Sequence, residues 1–104
     1  MKNYVIASLV LMAASSAAFG AGDAAAGKEK NSMCAGCHGI PGYRTAYPET
    51  YRVPQLGGQH AQYIVDALKE YQTGDRKFAT MRAIASGLTE QDMNDLAAYY
   101  SEGQ

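Results

Sequence analysis

The sequence lacks tryptophan and has only two cysteines, two histidines and three prolines in 104 residues. Two cysteines cannot form the disulfide framework that staples many small exported domains. All three prolines (Pro41, Pro48 and Pro54) fall in one stretch, which leaves the chain on either side free to form helix. Neither sign of charge dominates: nine Lys and Arg face ten Asp and Glu, a net of -1, so there is no basic footprint for nucleic acid. Hydrophobic residues at 47% and charged residues at 18% exclude a disordered tail. No convincing β-alternation and no internal repeat is present. The length sets a ceiling of one small domain. What the chain does have is eight tyrosines and eleven glycines, the latter pointing to tight turns and close packing.

The longest apolar run, Tyr4 to Ala14, spans eleven residues and is interrupted only by Ser8. A membrane helix needs roughly 20. Lys2 and Asn3 precede the run, and small residues follow it from Ser15 to Ala21, the pattern of a secretory leader. Ala18 and Gly20 suit the small positions before the cut, so cleavage is expected after Gly20, with residues 1–20 removed and 21–104 forming the mature domain. An uncleaved anchor is the competing reading, but no second apolar stretch or charged stop follows. Losing Lys2 leaves eight positive and ten negative side chains, a net of -2. Export implies an oxidising compartment, where a free cysteine pair would not stay idle.

Three main helices are predicted. Asp23 is a suitable N-cap for a first helix over about Asp23–Met33, within which Gly27 costs roughly 1 kcal/mol against alanine. Residues 39–58, with the prolines and several glycines, read as loop. Tyr63, Ile64, Ala67, Leu68 and Tyr71 share one face of a second helix over about Gln59–Thr73, ended by Gly74. Asp75–Gly87 reads as loop with one short turn near Arg82–Ser86. Thr89 to Asp92 resembles a capping box and opens a last helix to about Ser101, with Met93, Leu96, Ala97 and Tyr100 on its buried face. So little protein gives a thin core that needs a staple.

Cys34-Ala35-Gly36-Cys37-His38 supplies one. C-x-x-C-H is the signature of covalent haem attachment: two thiols add across the two vinyl groups of one haem edge, and the next residue is carried under the iron as an axial ligand. Ala35 and Gly36 are small and leave that edge uncrowded. A thioredoxin-like redox pair is the main rival, but it needs a βαβ setting and no strand precedes Cys34. A zinc site would need further ligands, and the only other histidine is His60. A plain disulfide would leave the core unfilled. One haem c per chain accounts for motif, export and thin core together.

Haem iron in an electron carrier is usually six-coordinate, and the candidates for the second position are Met33, Met81, Met93 and His60. Met33 adjoins Cys34 and cannot readily reach the opposite face. Met93 falls on the buried stripe of the last helix. His60 starts a helix at a position that reads as exposed. Met81, in the stretch between two helices, is the preferred ligand. His/Met ligation would raise the potential, because a soft neutral thioether favours the ferrous state. The competing reading of Met81 is a methionine that merely fills a gap.

The chain resembles the class I c-type cytochromes, in particular the small bacterial periplasmic kind, over nearly all of residues 21–104. The likeness rests on Gly22-Asp-Ala-Ala-Ala-Gly-Lys28, Cys34-Ala-Gly-Cys-His-Gly39, Pro54-Gln-Leu-Gly-Gly-Gln59 and the tract from Met81 to Tyr100. It implies an all-α class I cytochrome c fold, three main helices and loops wrapped around one covalent haem. It further implies that the Pro54 carbonyl accepts a hydrogen bond from His38 Nδ1, that Leu56 packs on the haem, and that Gly27 meets Tyr99 or Tyr100 at a helix crossing. One departure is the segment Ile40–Val53, rich in Tyr43, Arg44, Tyr47, Tyr51 and Arg52, where many relatives have blander loops. Tyr47, Tyr51 and Arg52 are candidates to bond the haem propionates, against the alternative of an ordinary exposed loop.

The function so implied is a periplasmic monohaem single-electron carrier and not an enzyme, cycling Fe(II)/Fe(III) between redox proteins such as an oxidase, reductase or dehydrogenase. It would bind no nucleic acid, keep no membrane span after cleavage, and act as a monomer or as a subunit of a complex. The thioether edge near Ala35 and Gly36 is the expected docking site. Two other readings remain: the haem subunit of a larger oxidoreductase, and a haem enzyme or gas sensor with an open sixth position.

Overall fold

A computed structural model describes residues 22–47 and 49–103. The expected leader, residues 1–20, lies outside them. Among the described residues no helix is long and apolar enough to cross a membrane.

Asp23 caps α1 (Ala24–Lys30), its carboxylate accepting from the Ala25 N–H at 2.9 Å. The first helix was expected to end at Met33. Instead it divides at Asn31 and resumes as α2 (Ser32–His38), so the whole C-x-x-C-H motif is helical. Asn31 stays right-handed (φ -81°, ψ -3°), and its carbonyl accepts from both Cys34 and Ala35 at 2.9 Å. The bond to Cys34, one residue shorter than the helical repeat, tightens the turn there. Nothing in Cys34–His38 stops a helix, and the first strong signal is Gly39, whose N–H donates to the Ala35 carbonyl at 3.0 Å.

Residues 39–58, expected to be loop, are mostly irregular among those described, and the irregular stretch runs on to His60 where a helix was expected from Gln59. Within it lies a small antiparallel ladder of β1 (Arg44–Thr45) and β2 (Tyr51–Arg52), with Thr45 opposite Tyr51. Two residues per strand are too few to show an alternation. The Thr45 hydroxyl reinforces the ladder by donating to the Glu49 carbonyl at 2.9 Å and accepting from the Tyr51 N–H at 3.2 Å.

The second expected helix is α3 (Ala61–Thr73), closed by Gly74 at φ 87°, a left-handed position suited to glycine. The stretch expected to be loop up to Gly87 holds a two-turn helix, α4 (Ala79–Ser86). Its alanines at 79, 83 and 85 favour helix, and the segment is free of Gly and Pro until Gly87. The last helix, α5 (Glu90–Ser101), opens with the anticipated capping box: Thr89 Oγ1 accepts from Asp92 N, and Asp92 accepts from Thr89 N.

α1 packs across α5, and α3 packs against both α5 and α4. Gly27 makes the first crossing possible, since a Cβ there would run into the Asp95 carbonyl and sit 2.8 Å from Tyr99 Cβ. Between the expected partners Tyr99 and Tyr100, the contact is with Tyr99. The same crossing is tied by Asp95, buried at 3% exposure. It accepts from the Asp23 N–H (2.8 Å), Lys30 Nζ (2.7 Å) and Gln91 Nε2 (2.8 Å). The core is small: Ile64, Val65, Met93, Leu96, Ala97 and Tyr100 form one cluster. Cys34, Leu56, Leu68 and Leu88 pack against it only half-buried, because they border a cavity.

Candidate functional site

Helical spacing gathers the motif. Cys34, Cys37 and His38 stand at i, i+3 and i+4 of α2 and so share a face. All three line a cavity of about 220 Å³ closed by Leu68 of α3, Met81 and Ile84 of α4, and the segment holding Pro54 and Leu56. Its wall is chiefly apolar.

His38 Nδ1 lies 2.6 Å from the Pro54 carbonyl. A carbonyl can only accept, so Nδ1 carries the proton and Nε2 is left with a free lone pair. A second hydrogen bond of this kind fixes ring plane and tautomer in metal-bound histidines. This is the geometry that the resemblance implies for Pro54, and Leu56 lines the same cavity.

Met81 is also in that wall, but on the first turn of α4 and not on a loop. The helix places Ile84 one turn further along the same face. The rival candidates separate. Met93 is 1% exposed in the core and does not line the cavity. His60 is exposed at the N-cap of α3 and is also absent from the wall. Met33 lines the rim, 54% exposed, on the same helix as His38.

The cysteines are free. Burial pushes the Cys34 thiol above its usual range, with a hydrogen bond to Tyr100 opposing the shift. A redox-active thiol needs the opposite environment, one that stabilises thiolate. Two free thiols one turn apart, an imidazole with its tautomer fixed and an apolar wall with a thioether in it fit a haem held by two thioethers.

Of the tyrosine- and arginine-rich segment, Tyr51 lines the cavity and stacks on Phe78 (5.0 Å between centroids, 28° between planes). Tyr47 is 88% exposed, and neither it nor Arg52 is in the wall. Arg76, which sequence reasoning passed over, is there. Its Nε donates to Glu70 at 2.5 Å and its Nη2 to the Tyr63 hydroxyl at 3.2 Å. The one sequence clue was the set Tyr63, Glu70 and Tyr71, which spacing puts on one face of α3.

Residues 24–102 match the cytochrome c family. The chain is similar to cytochrome c-554(548) of Halomonas halodenitrificans, 45% identical over 84 residues, covering 78% of this chain and 96% of that protein. It is also similar to a cytochrome subunit of sulfide dehydrogenase from Chlorobaculum tepidum, 31% identical over 67 residues, 64% of this chain and 56% of that one. Among solved structures, cytochrome c4 of Acidithiobacillus ferrooxidans superposes with a TM-score of 0.60 at 32% identity, covering 76% of this chain and 48% of that one. The chain spans about half the length of the cytochromes c4 it matches. With the motif, the cavity and these likenesses in agreement, the chain belongs to the cytochrome c family, whose members bind haem c covalently.

Proposed function

We propose that the protein is a periplasmic single-electron carrier in which Cys34 and Cys37 hold the haem by thioethers and His38 and Met81 are the axial ligands. The observation that carries this reading is that these four side chains line one apolar cavity, with the His38 ring held by the Pro54 carbonyl. The bound haem supplies the Fe(II)/Fe(III) couple. The chain's own residues do the rest. The Pro54 carbonyl, by holding the proton on Nδ1, keeps Nε2 an acceptor and fixes the plane of the ring. Met81, as a neutral thioether, favours the ferrous state. Leu56, Leu68 and Ile84 exclude water and so limit reorganisation when the charge changes. With His38 and Met81 both holding the iron, no substrate would reach it without loss of a ligand, so no catalytic residue is assigned.

The residues before Ala21 support export by a cleaved leader, which would deliver the domain to the compartment where haem c is attached. A second reading, the haem subunit of a larger oxidoreductase, is supported by the likeness to a sulfide dehydrogenase cytochrome subunit. Optical spectra of the oxidised and reduced protein, with its intact mass, test both ligation and attachment. The expected result is a low-spin protein heavier than the mature chain by one haem. A mass equal to the bare chain would end the proposal, and a high-spin ferric spectrum would remove Met81 from the iron. Purification at fixed stoichiometry with a second chain would favour the subunit reading.

A further inference from the structure

Haem is apolar except for two carboxylates, and Arg76 is the sole Lys or Arg among the described residues of the cavity wall. Its position is set with unusual completeness. Gly74 reverses the chain after α3, and the Arg76 N–H then donates back to the Glu70 carbonyl at 3.1 Å. The guanidinium lies 5.7 Å from the ring centroids of both Tyr63 and Tyr71, with Glu70 and the Tyr63 hydroxyl as hydrogen-bond partners. These contacts use Nε and one proton of Nη2. A guanidinium has five N–H donors, so both protons of Nη1 and one of Nη2 remain without a partner among the described residues. Nη1 and Nη2 together form the outer edge of the fork, which can take a carboxylate.

We propose that Arg76 pairs with a haem propionate at the rim of this cavity and is a positioning residue that raises the reduction potential. This inference rests on the haem-carrier reading above. A propionate anion near the iron favours Fe(III); a fixed cation on that propionate offsets it and favours Fe(II). Arg44 and Arg52, the arginines of the tyrosine-rich segment, are outside the wall and do not take this role.

The experiment is a spectroelectrochemical titration of holoprotein for wild type, Arg76→Gln, Arg76→Lys and Glu70→Gln. Removing one unit charge from a partly exposed site beside the haem is expected to change the Fe(II)/Fe(III) equilibrium by between about threefold and tenfold. For one electron that range is about 30 to 60 mV. Arg76→Gln is expected to lower the midpoint by this amount while the spectrum stays low-spin. Arg76→Lys restores most of it. Glu70→Gln, which removes the competing anion, moves the midpoint the other way. Opposite signs are the signature, because loss of a purely structural clip would shift both variants in one direction. A low-spin Arg76→Gln protein with an unchanged midpoint overturns the inference. So does an unchanged midpoint with slower, salt-sensitive electron exchange, which would make Arg76 a docking cation. If Arg76→Gln fails to accumulate with haem, a lowered midpoint in Glu70→Gln is enough to overturn it. Failure of the carrier reading would show differently, as wild-type protein that is haem-free or high-spin.

Discussion

Met81 and Asp95 show how single side chains set properties at two ends of the molecule. Met81 occupies the wall of the cavity that His38 also lines, so Met81→Ala removes the thioether that α4 contributes to that wall. The ferric spectrum is then expected to move towards high spin and the potential to fall, since the thioether favours Fe(II). An unaltered spectrum in that variant would assign the sixth position elsewhere. Asp95 works through pH. The Lys30 ammonium, then the Asp23 N–H and Gln91, hold its carboxyl below the usual carboxylate range, and Lys30 with the Thr89 cap holds Asp92 at about 2. In the unfolded chain both return to about 3.9. Groups depressed in the folded state contribute stability that is complete above the unfolded value and lost as pH falls through the folded one. Wild type should therefore melt well above Asp95→Asn at neutral pH, and the gap should shrink over the acid window that opens below about pH 4. A gap that stays constant across that window would show that the carboxylate charge does not tie α1 to α5.

At the scale of elements, β2 lies between the two sides of the cavity. Tyr51 stacks on Phe78, the residue that caps α4 three positions before Met81, and Pro54, three residues after Tyr51, accepts from His38. An aromatic pair contributes about 0.5–1.5 kcal/mol beyond its buried area. Tyr51→Ala should therefore loosen α4 and speed displacement of Met81 by added imidazole by about two- to tenfold, whereas Tyr51→Phe, which keeps the ring, should behave as wild type. Equal rates in all three proteins would show that the hairpin does not brace α4. The same elements mark what could be read in advance. C-x-x-C-H was legible because thioether chemistry fixes the spacing, α3 because its apolar face and Gly74 agree, and α5 because Thr89 and Asp92 announce its start. Helix α4 was not, because eight residues with Arg82 among them give too little periodicity. Nor was the β1–β2 ladder, whose bonds come partly from a threonine side chain. Arg76 was hidden for another reason: its importance arises only when the fold brings it over Tyr63, Glu70 and Tyr71.

Among the described residues the helices enclose a small apolar core that borders a cavity. On one side Ile64, Val65, Met93, Leu96, Ala97 and Tyr100 pack on each other. On the other, α2 and α4 turn one face to the cavity, and the residues that line it there, Cys37, His38, Met81 and Ile84, stay only half-buried, while α4 also packs on α3 and Cys34 on the core cluster. A domain of this size buries too little surface for much margin, and small domains commonly need a covalent or metal staple. Attachment at Cys34 and Cys37 and ligation by His38 and Met81 would tie α2 to α4 through one rigid group. Anything that binds only the folded state adds its binding free energy to stability. The Cys34→Ala, Cys37→Ala double variant, purified without haem, is therefore expected to lose most of its helical circular dichroism and to show no sharp thermal transition, while the holoprotein melts cooperatively. The α1–α5 crossing through Gly27 and Asp95 does not touch the cavity, so residual helix should be concentrated there and hydrogen exchange should find its protection confined to α1 and α5. Cooperative melting of the haem-free variant, with protection extending into α2 and α4, would mean that the polypeptide closes this space unaided.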